Sequence, residues 1–399
     1  MMSVESLVRN ELKQRVQASS TRQRYVDPPN MISLAAGDPN FLLPEYIVEA
    51  VSAAIKGGCN HYCFGDDPEL KEAVCAYYSK YGYTAQPSQI SITGGGSPSL
   101  SQAYGAILNA GDENITLDPS YGGGQGLMRY LGVKNVIAPM KMVNGLFRPD
   151  IEAIKNVITP KTKSIYLDNP GNPSGAVFTK KELKGIADLA VDHNFVVVSD
   201  ETYTEYVWAG KKHEALISYP GMEDRTLVCM ALTKMYAWAG MRTGWIISGP
   251  NMAPYVESSP SGSVSWPIQK GAIKALKEGY EYVEMMKNEY NERLNYGVKR
   301  LNELPGVTCT KPEGAFYLFP DISGTGMTSQ EFGEKLRVEE AIRISGGTYG
   351  PGAAKGHVRL SMILPLSYQK WPSWFKVTKD HCFEAAMDRI EHFVKKHTK

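Results

Sequence analysis

The sequence predicts an α/β fold: a large domain with a mostly parallel seven-stranded sheet between helices, plus a smaller α+β domain. Three observations carry this. From about residue 45 to 285, short β-branched or apolar runs alternate with longer stretches of helical periodicity, the pattern of a parallel sheet covered by helices. Near Tyr280 the texture changes to a long charged run of helical character, Glu281 to Leu304, and then to an α+β tail. With 399 residues, 43% of them hydrophobic, the chain can bury a large core and form two domains. The expected division is 1–45 for an N-terminal arm and part of the small domain, 46–289 for the large domain, and 290–399 for the small C-terminal domain.

In chain order, the expected strands are Gln89 to Thr93, Asn114 to Leu117, Asn135 to Pro139, Ser164 to Leu167, Phe195 to Ser199, Thr226 to Ala231 and Trp245 to Ser248. Functional residues in such folds gather at the carboxyl ends of the strands. The stretch Ser258 to Ser265, serine-rich with a proline and a glycine, reads as a surface loop or lid. There is no internal repeat and no low-complexity segment.

Composition narrows the partners. The 43 basic and 42 acidic residues leave a net charge of +1, which gives no electrostatic case for nucleic acid or a membrane surface. The expected ligand is small. Cys59 and Cys63 flank His61, but no second Cys/His pair follows at zinc-site spacing, so no metal site is expected. Residues Met1 to Asn30 lack an apolar core of signal-peptide length, and no run is long enough to span a bilayer. The expectation is a soluble, cytoplasmic protein with free thiols.

The most informative chemistry lies in Ala231-Leu-Thr-Lys234-Met-Tyr-Ala-Trp-Ala-Gly240-Met-Arg242-Thr-Gly-Trp245. A lysine amine can condense with an aldehyde to form a Schiff base, and an arginine eight residues on can return to neutralise a phosphate on the same group. Following a buried strand, the lysine is expected to have no helical face to escape along. The ordinary alternative is a surface lysine and a structural arginine.

Other segments point to the same chemistry. Phe195-Val-Val-Val-Ser-Asp200-Glu-Thr-Tyr203 ends a strand in an acid and a tyrosine. Asp200 can hold the nitrogen of a pyridine ring protonated and Tyr203 can hydrogen-bond the ring's phenolic oxygen, although an aspartate here also serves as a helix N-cap. Ile90-Ser-Ile-Thr93-Gly94-Gly95-Gly96-Ser97-Pro98 is a strand, a glycine loop and a helix start that can cradle a phosphate. Asp118-Pro119-Ser120-Tyr121 and Leu167-Asp-Asn-Pro-Gly-Asn172-Pro173-Ser-Gly175 end two more strands in turns. Arg359, between apolar neighbours after the glycine-rich run Gly346 to Gly352, can grip a carboxylate with two parallel hydrogen bonds.

These segments, in this order, resemble the class I/II pyridoxal-phosphate-dependent aminotransferases of fold type I, nearest the aspartate and aromatic amino acid subgroup. The resemblance covers roughly residues 31 to 361 and implies pyridoxal 5'-phosphate as cofactor. It implies Lys234 as the Schiff-base lysine, with Gly95, Gly96, Ser97 and Arg242 on the phosphate. Tyr121 would stack on the ring, Asn172 would donate to the phenolic oxygen, and Asn169 would be structural. Arg359 would take the substrate α-carboxylate, and Gly37, in Ile32-Ser-Leu-Ala-Ala-Gly37-Asp38-Pro39, would let backbone close over the substrate. Two positions depart from the family pattern. Ala231 stands where a serine usually reaches the phosphate, so that bond is missing or supplied by Thr233. Tyr62 is the candidate to reach the phosphate in the neighbouring subunit of a homodimer with a shared active site, with His61 as the alternative.

The implied activity is transfer of an amino group from an L-α-amino acid (aspartate, aromatic or broad) to a 2-oxo acid, 2-oxoglutarate in the first instance. Lys234 would remove the α-proton, and since a free lysine with a pKa of about 10.4 is a poor base at neutrality, burial or a nearby cation must lower it. No lysine or arginine occurs between Lys80 and Arg129, so a second carboxylate would need an arginine from the arm (Arg22, Arg24) or from the partner. This favours aromatic or broad specificity. A carbon–sulfur β-lyase is the alternative on the same fold. A non-catalytic cofactor-sensing regulator is more remote, because the thirty residues before Met31 are too few for a helix-turn-helix domain and linker.

Overall fold

The computed structural model describes all residues except 1–3, 21–26, 29, 64, 209, 347–351, 353, 368–379 and 399. Its large sheet comprises β1 (Ile90–Thr93), β2 (Glu113–Asp118), β3 (Lys134–Pro139), β4 (Thr162–Asp168), β5 (Val196–Asp200), β6 (Thr226–Ala231) and β7 (Gly244–Ile247). These seven strands lie in the order β1-β7-β6-β5-β4-β2-β3. All run parallel except β7, which is antiparallel to both its neighbours. Each expected strand is present, with ends shifted by a residue or two.

Side chains alternate across the sheet as the pleat requires. Ile165, Leu167 and Val197 face one core, packed with Leu183, Ile186, Ala187 and Ala190 of helix α2 (Lys180–Asp192). Tyr166, Val198, Leu227 and Cys229 face the other, packed with Leu100, Ala103 and Tyr104 of helix α1 (Gly96–Ile107). The helical residues recur at three- and four-residue intervals, one apolar stripe per helix. A fully buried side chain such as Ile186 stabilises this packing by about 1.5–3 kcal/mol. Covered on both faces, β6 carries no charged residue and is buried throughout. The start of α2 is set by a capping box in which Thr179 and Glu182 satisfy each other's backbone N–H groups.

Helix α3 (Tyr280–Asn302) buries Val283, Met286, Tyr290, Leu294, Gly297 and Leu301 on one stripe. Beyond it, Val358–Ser361 is the middle strand of a small antiparallel sheet, flanked by Tyr317–Leu318 and Ser345–Gly346. Near the start of the chain, Ile32–Ser33 pairs parallel with Ile342–Arg343, so this early segment joins the C-terminal strands. Most of the glycine-rich run before Arg359, and both Arg22 and Arg24, lie outside the described residues. Among the described residues no helix is long and apolar enough to cross a membrane, no group of His, Cys, Asp or Glu is placed to hold a metal ion, and all six cysteines are free.

Candidate active site

The strand order explains where the chemistry gathers. The parallel strands deliver Gly94, Asp118, Asp168, Asp200 and Ala231 to one edge. Because β7 runs the other way, its first residue lies at that edge: Gly244 is opposite both Ala231 and Thr93. Arg242, two residues before it, thus returns beside the glycine loop. Over this edge lies a cavity of about 390 Å³, closed from the other side by Gly37, Asp38, Tyr317 and Arg359.

Lys234 projects into the cavity from a one-turn helix, Leu232–Met235, that directly follows β6. This single turn re-aims the chain as it leaves the buried strand and is too short to offer the lysine an exposed helical face. The Lys234 Nζ donates to the Gly37 carbonyl. Burial pushes its pKa down from 10.5 to about 8; Asp38 and Asp200 pull it back up, while Arg359 and Arg242 push it further down. The amine is within reach of its neutral form at physiological pH.

On the sheet side, Asp200 accepts from the Tyr166 hydroxyl at 3.0 Å and from the Thr202 hydroxyl at 2.5 Å. Burial raises its pKa above the usual carboxylate range against these bonds, and it makes no ion pair among the described residues. The Tyr203 and Tyr317 hydroxyls share a hydrogen bond of 2.6 Å. Asn172 Oδ1 accepts from Arg359 Nη1 at 2.8 Å, which leaves its Nδ2 as the donor. Asn169 Oδ1 accepts from the Phe178 backbone N–H at 2.9 Å, a purely local bond. Tyr121 is 53% exposed and lines the cavity.

At the glycine loop, Gly96 and Ser97 line the cavity at the start of α1, where the first N–H groups have no intrahelical acceptor. Gly95, just before them, has a φ of 108°, which residues with a side chain rarely adopt, and a Cβ there would lie 2.9 Å from Arg242 Nη2. Arg242 makes no ion pair among the described residues, and its guanidinium is steadied by the Ala239 carbonyl at 3.1 Å. Ala231 is fully buried and offers no hydroxyl. The Thr233 hydroxyl is buried and unpaired on a cavity-lining residue.

Arg359 Nη2 donates to the Ala35 carbonyl and, at 3.3 Å, to the Ser345 hydroxyl. Its guanidinium lies 4.6 Å above the centre of the Tyr317 ring. Gly37 lines the cavity, and a Cβ there would lie 2.2 Å from the Tyr317 hydroxyl. Tyr62 lies away from this cavity and is 77% exposed.

A parallel sheet that presents a largely buried lysine, an arginine without an acidic partner, a helix start, an unpaired hydroxyl and a buried carboxylate without a cation defines a phosphate-bearing cofactor site. The donor set suits pyridoxal phosphate: cation, N–H groups and hydroxyl toward the phosphate, amine toward the aldehyde, carboxylate toward a protonated ring nitrogen. Comparison with known proteins agrees. Residues 29–366 match the profile of "Aminotransferase class I and II", and the chain belongs to this family. It is 34% identical to an aspartate aminotransferase of Pyrococcus horikoshii over 91% of this chain and 90% of that one. It is 35% identical to aromatic-amino-acid aminotransferase 2 of Thermococcus litoralis over 92% of each. The crystal structure of an aromatic aminotransferase from Pyrococcus horikoshii superposes with a TM-score of 0.83 at 30% identity, covering 96% of this chain and 99% of that one. The fold is the type I fold of these transferases. The protein is a transaminase of amino acid metabolism that uses pyridoxal phosphate.

Several cavity residues escaped sequence reasoning, Tyr317, Asp168 and Asp38 among them. Tyr317, in a two-residue strand beside Phe316 and Leu318, is 2% exposed and reads as core. Asp168 and Asp38 stand inside segments already singled out, but nothing local marks them. Asp168 Oδ2 accepts the backbone N–H groups of both Tyr121 (3.2 Å) and Asn172 (2.9 Å), tying together the two loops that carry the ring-facing residues.

Proposed function

We propose that this transaminase takes its amino group from an L-α-amino acid with an aromatic or other neutral side chain, within a broad range, and passes it to 2-oxoglutarate. The observation that carries the reading is the charge inventory of the cavity. Its lining cations are Lys234, Arg242 and Arg359, and each has a task. Arg242, with the N–H groups of Gly96 and Ser97 and the hydroxyl of Thr233, holds the phosphate. Arg359 grips the α-carboxylate. None is left for a second carboxylate, so that of 2-oxoglutarate would be met from outside the described cavity, by Arg22 or Arg24 of the arm or by a second copy.

Bound pyridoxal phosphate supplies a conjugated ring that draws electron density from the substrate α-carbon. With the cofactor bound, Asp200 would pair with a protonated ring nitrogen, Tyr203 and Asn172 would donate to the phenolic oxygen, and Tyr121 would stack on the ring. Lys234 Nζ, its pKa held down to about 8 chiefly by burial, would take the proton from the substrate α-carbon and deliver it to the carbon that was the cofactor's aldehyde. The Arg359–Asn172 bond of 2.8 Å ties carboxylate recognition to the ring side, which supports one fixed substrate orientation.

We further infer a homodimer in which Tyr62, or His61 beside it, reaches the partner's phosphate; the exposure of both side chains supports this. Six free cysteines support a cytoplasmic setting. We infer domains at 1–45, 46–289 and 290–399; the helix α3 across the second boundary and the pairing of Ile32–Ser33 with Ile342–Arg343 support this division. The test is a panel of aromatic, aliphatic, acidic and cationic donors against 2-oxoglutarate, with single-turnover spectra. Aromatic donors are expected to exceed aspartate in kcat/KM, and a strong preference for aspartate would refute the reading.

A further inference from the structure

The segment from Ala35 to Asn40 crosses the mouth of the cavity and is pinned along its length. The Ala35 carbonyl accepts from Arg359 and the Gly37 carbonyl from Lys234. Asn40 is buried and its Oδ1 accepts from Arg293 Nη1 at 2.7 Å. Upstream, the Leu34 N–H donates to the Arg343 carbonyl at 2.7 Å and its carbonyl accepts from the Ser361 N–H at 2.8 Å. Between these anchors Asp38 is exposed and lines the cavity.

Its surroundings differ from those of the other two cavity carboxylates. Asp168 accepts two backbone N–H groups and Asp200 two hydroxyls. Asp38 has no hydrogen bond and no ion pair among the described residues. A carboxylate left to solvent at a fixed point over the entrance acts on whatever enters. Of the charges acting on Lys234, Asp38 has the largest effect, ahead of Arg359, Asp200 and Arg242, so its field reaches the reacting nitrogen.

We propose that Asp38 is a specificity-determining residue that favours amino acids whose side chain ends in an ammonium or guanidinium group and disfavours a second carboxylate. This rests on the α-carboxylate binding to Arg359, which sends the side chain toward the mouth. Within a broad donor range, cationic donors then gain over acidic ones, and 2-oxoglutarate binds against the same repulsion. Neutral aromatic donors are unaffected.

The experiment uses holoenzyme and three amine-free ligands that share one carboxylate: glutarate, 3-phenylpropionate and 4-guanidinobutyrate. Their dissociation constants are measured by calorimetric titration for wild type and Asp38→Asn, with melting temperature as the control for folding. In the variant, glutarate should tighten about three- to tenfold and 4-guanidinobutyrate weaken by a similar factor, a range set by one partly screened charge. The constant for 3-phenylpropionate should stay within about twofold, and both shifts should shrink in high salt. Equal shifts for all three ligands, or none, would overturn the role of Asp38 alone. Failure of all three to bind the wild type would overturn the assignment of Arg359 and the proposal with it.

Discussion

Replacing Thr233 by valine exchanges a hydroxyl for a methyl of nearly the same shape, and two measurements should then respond differently. In the protein without cofactor the Thr233 hydroxyl is buried and unpaired. An unpaired buried hydroxyl costs about 1–3 kcal/mol, so its removal should leave apo stability unchanged or raise it by about 1 kcal/mol. With pyridoxal phosphate bound, the same hydroxyl donates to a dianion, and a hydrogen bond to a charged group contributes about 1.5–3 kcal/mol. Ala231 offers nothing in its place. The dissociation constant for pyridoxal phosphate should therefore rise by about ten- to a hundredfold. Urea denaturation of the apo protein and equilibrium dialysis of the cofactor measure the two effects separately. An apo protein destabilised by more than about 1 kcal/mol would mean that the hydroxyl is a structural bond. A dissociation constant unchanged within about twofold would mean that Thr233 does not stand in for the missing serine.

Two further substitutions bear on the site. Lys234 is held at about 8 against an ordinary 10.5. Between these values the unfolded chain binds more protons than the folded one, so apo stability rises with pH across this window and is lowest below it. The interval, 10.5 − 8 = 2.5, corresponds to at most about 3 kcal/mol. Lys234→Met should thus stabilise the apo protein at pH 7 by up to about 3 kcal/mol, with the gain shrinking toward pH 10, while turnover and the visible absorbance of bound cofactor are lost. A lower denaturation midpoint at pH 7 would count against the depressed amine. Gly37→Ala places a methyl 2.2 Å from the Tyr317 hydroxyl and must displace that ring from Tyr203. It should lower kcat/KM about tenfold or more, and adding Tyr317→Phe should recover part of the loss in a double-mutant cycle. Additive losses would show that the clash is not the cause.

The sheet was legible because each strand is a short apolar run with its own turn signals, and alternation survives in Ile165, Tyr166 and Leu167, whose side chains go to opposite cores. The lysine segment was legible as a motif but not as a shape. Nothing in Leu232-Thr-Lys-Met announces a single helical turn, which exists because the chain must leave a buried strand while the Tyr236 N–H finds the Leu232 carbonyl. Tyr317 shows the sharper limit. In sequence it is one more aromatic in Phe316-Tyr-Leu, and only tertiary packing brings its hydroxyl to Tyr203 and its ring under Arg359. Gly95 and Gly37 stand out in the sequence as loop glycines, but the atoms a side chain there would meet, Arg242 and Tyr317, lie far along the chain.

The reversed strand β7 makes the interval from Lys234 to Arg242 a clasp of fixed length. One end is the turn that closes β6, and the other is set by the pairing of Gly244 with Ala231 and Thr93. Two residues within it, Ala237 and Arg242, adopt left-handed backbone conformations with φ of 52° and 57°, which costs on the order of 1 kcal/mol each. Such a clasp has no slack. A residue gained or lost would slip β7 by one place and turn its alternate side chains to the opposite face, so the length of this interval is what holds Arg242 beside the glycine loop while Lys234 faces the cavity.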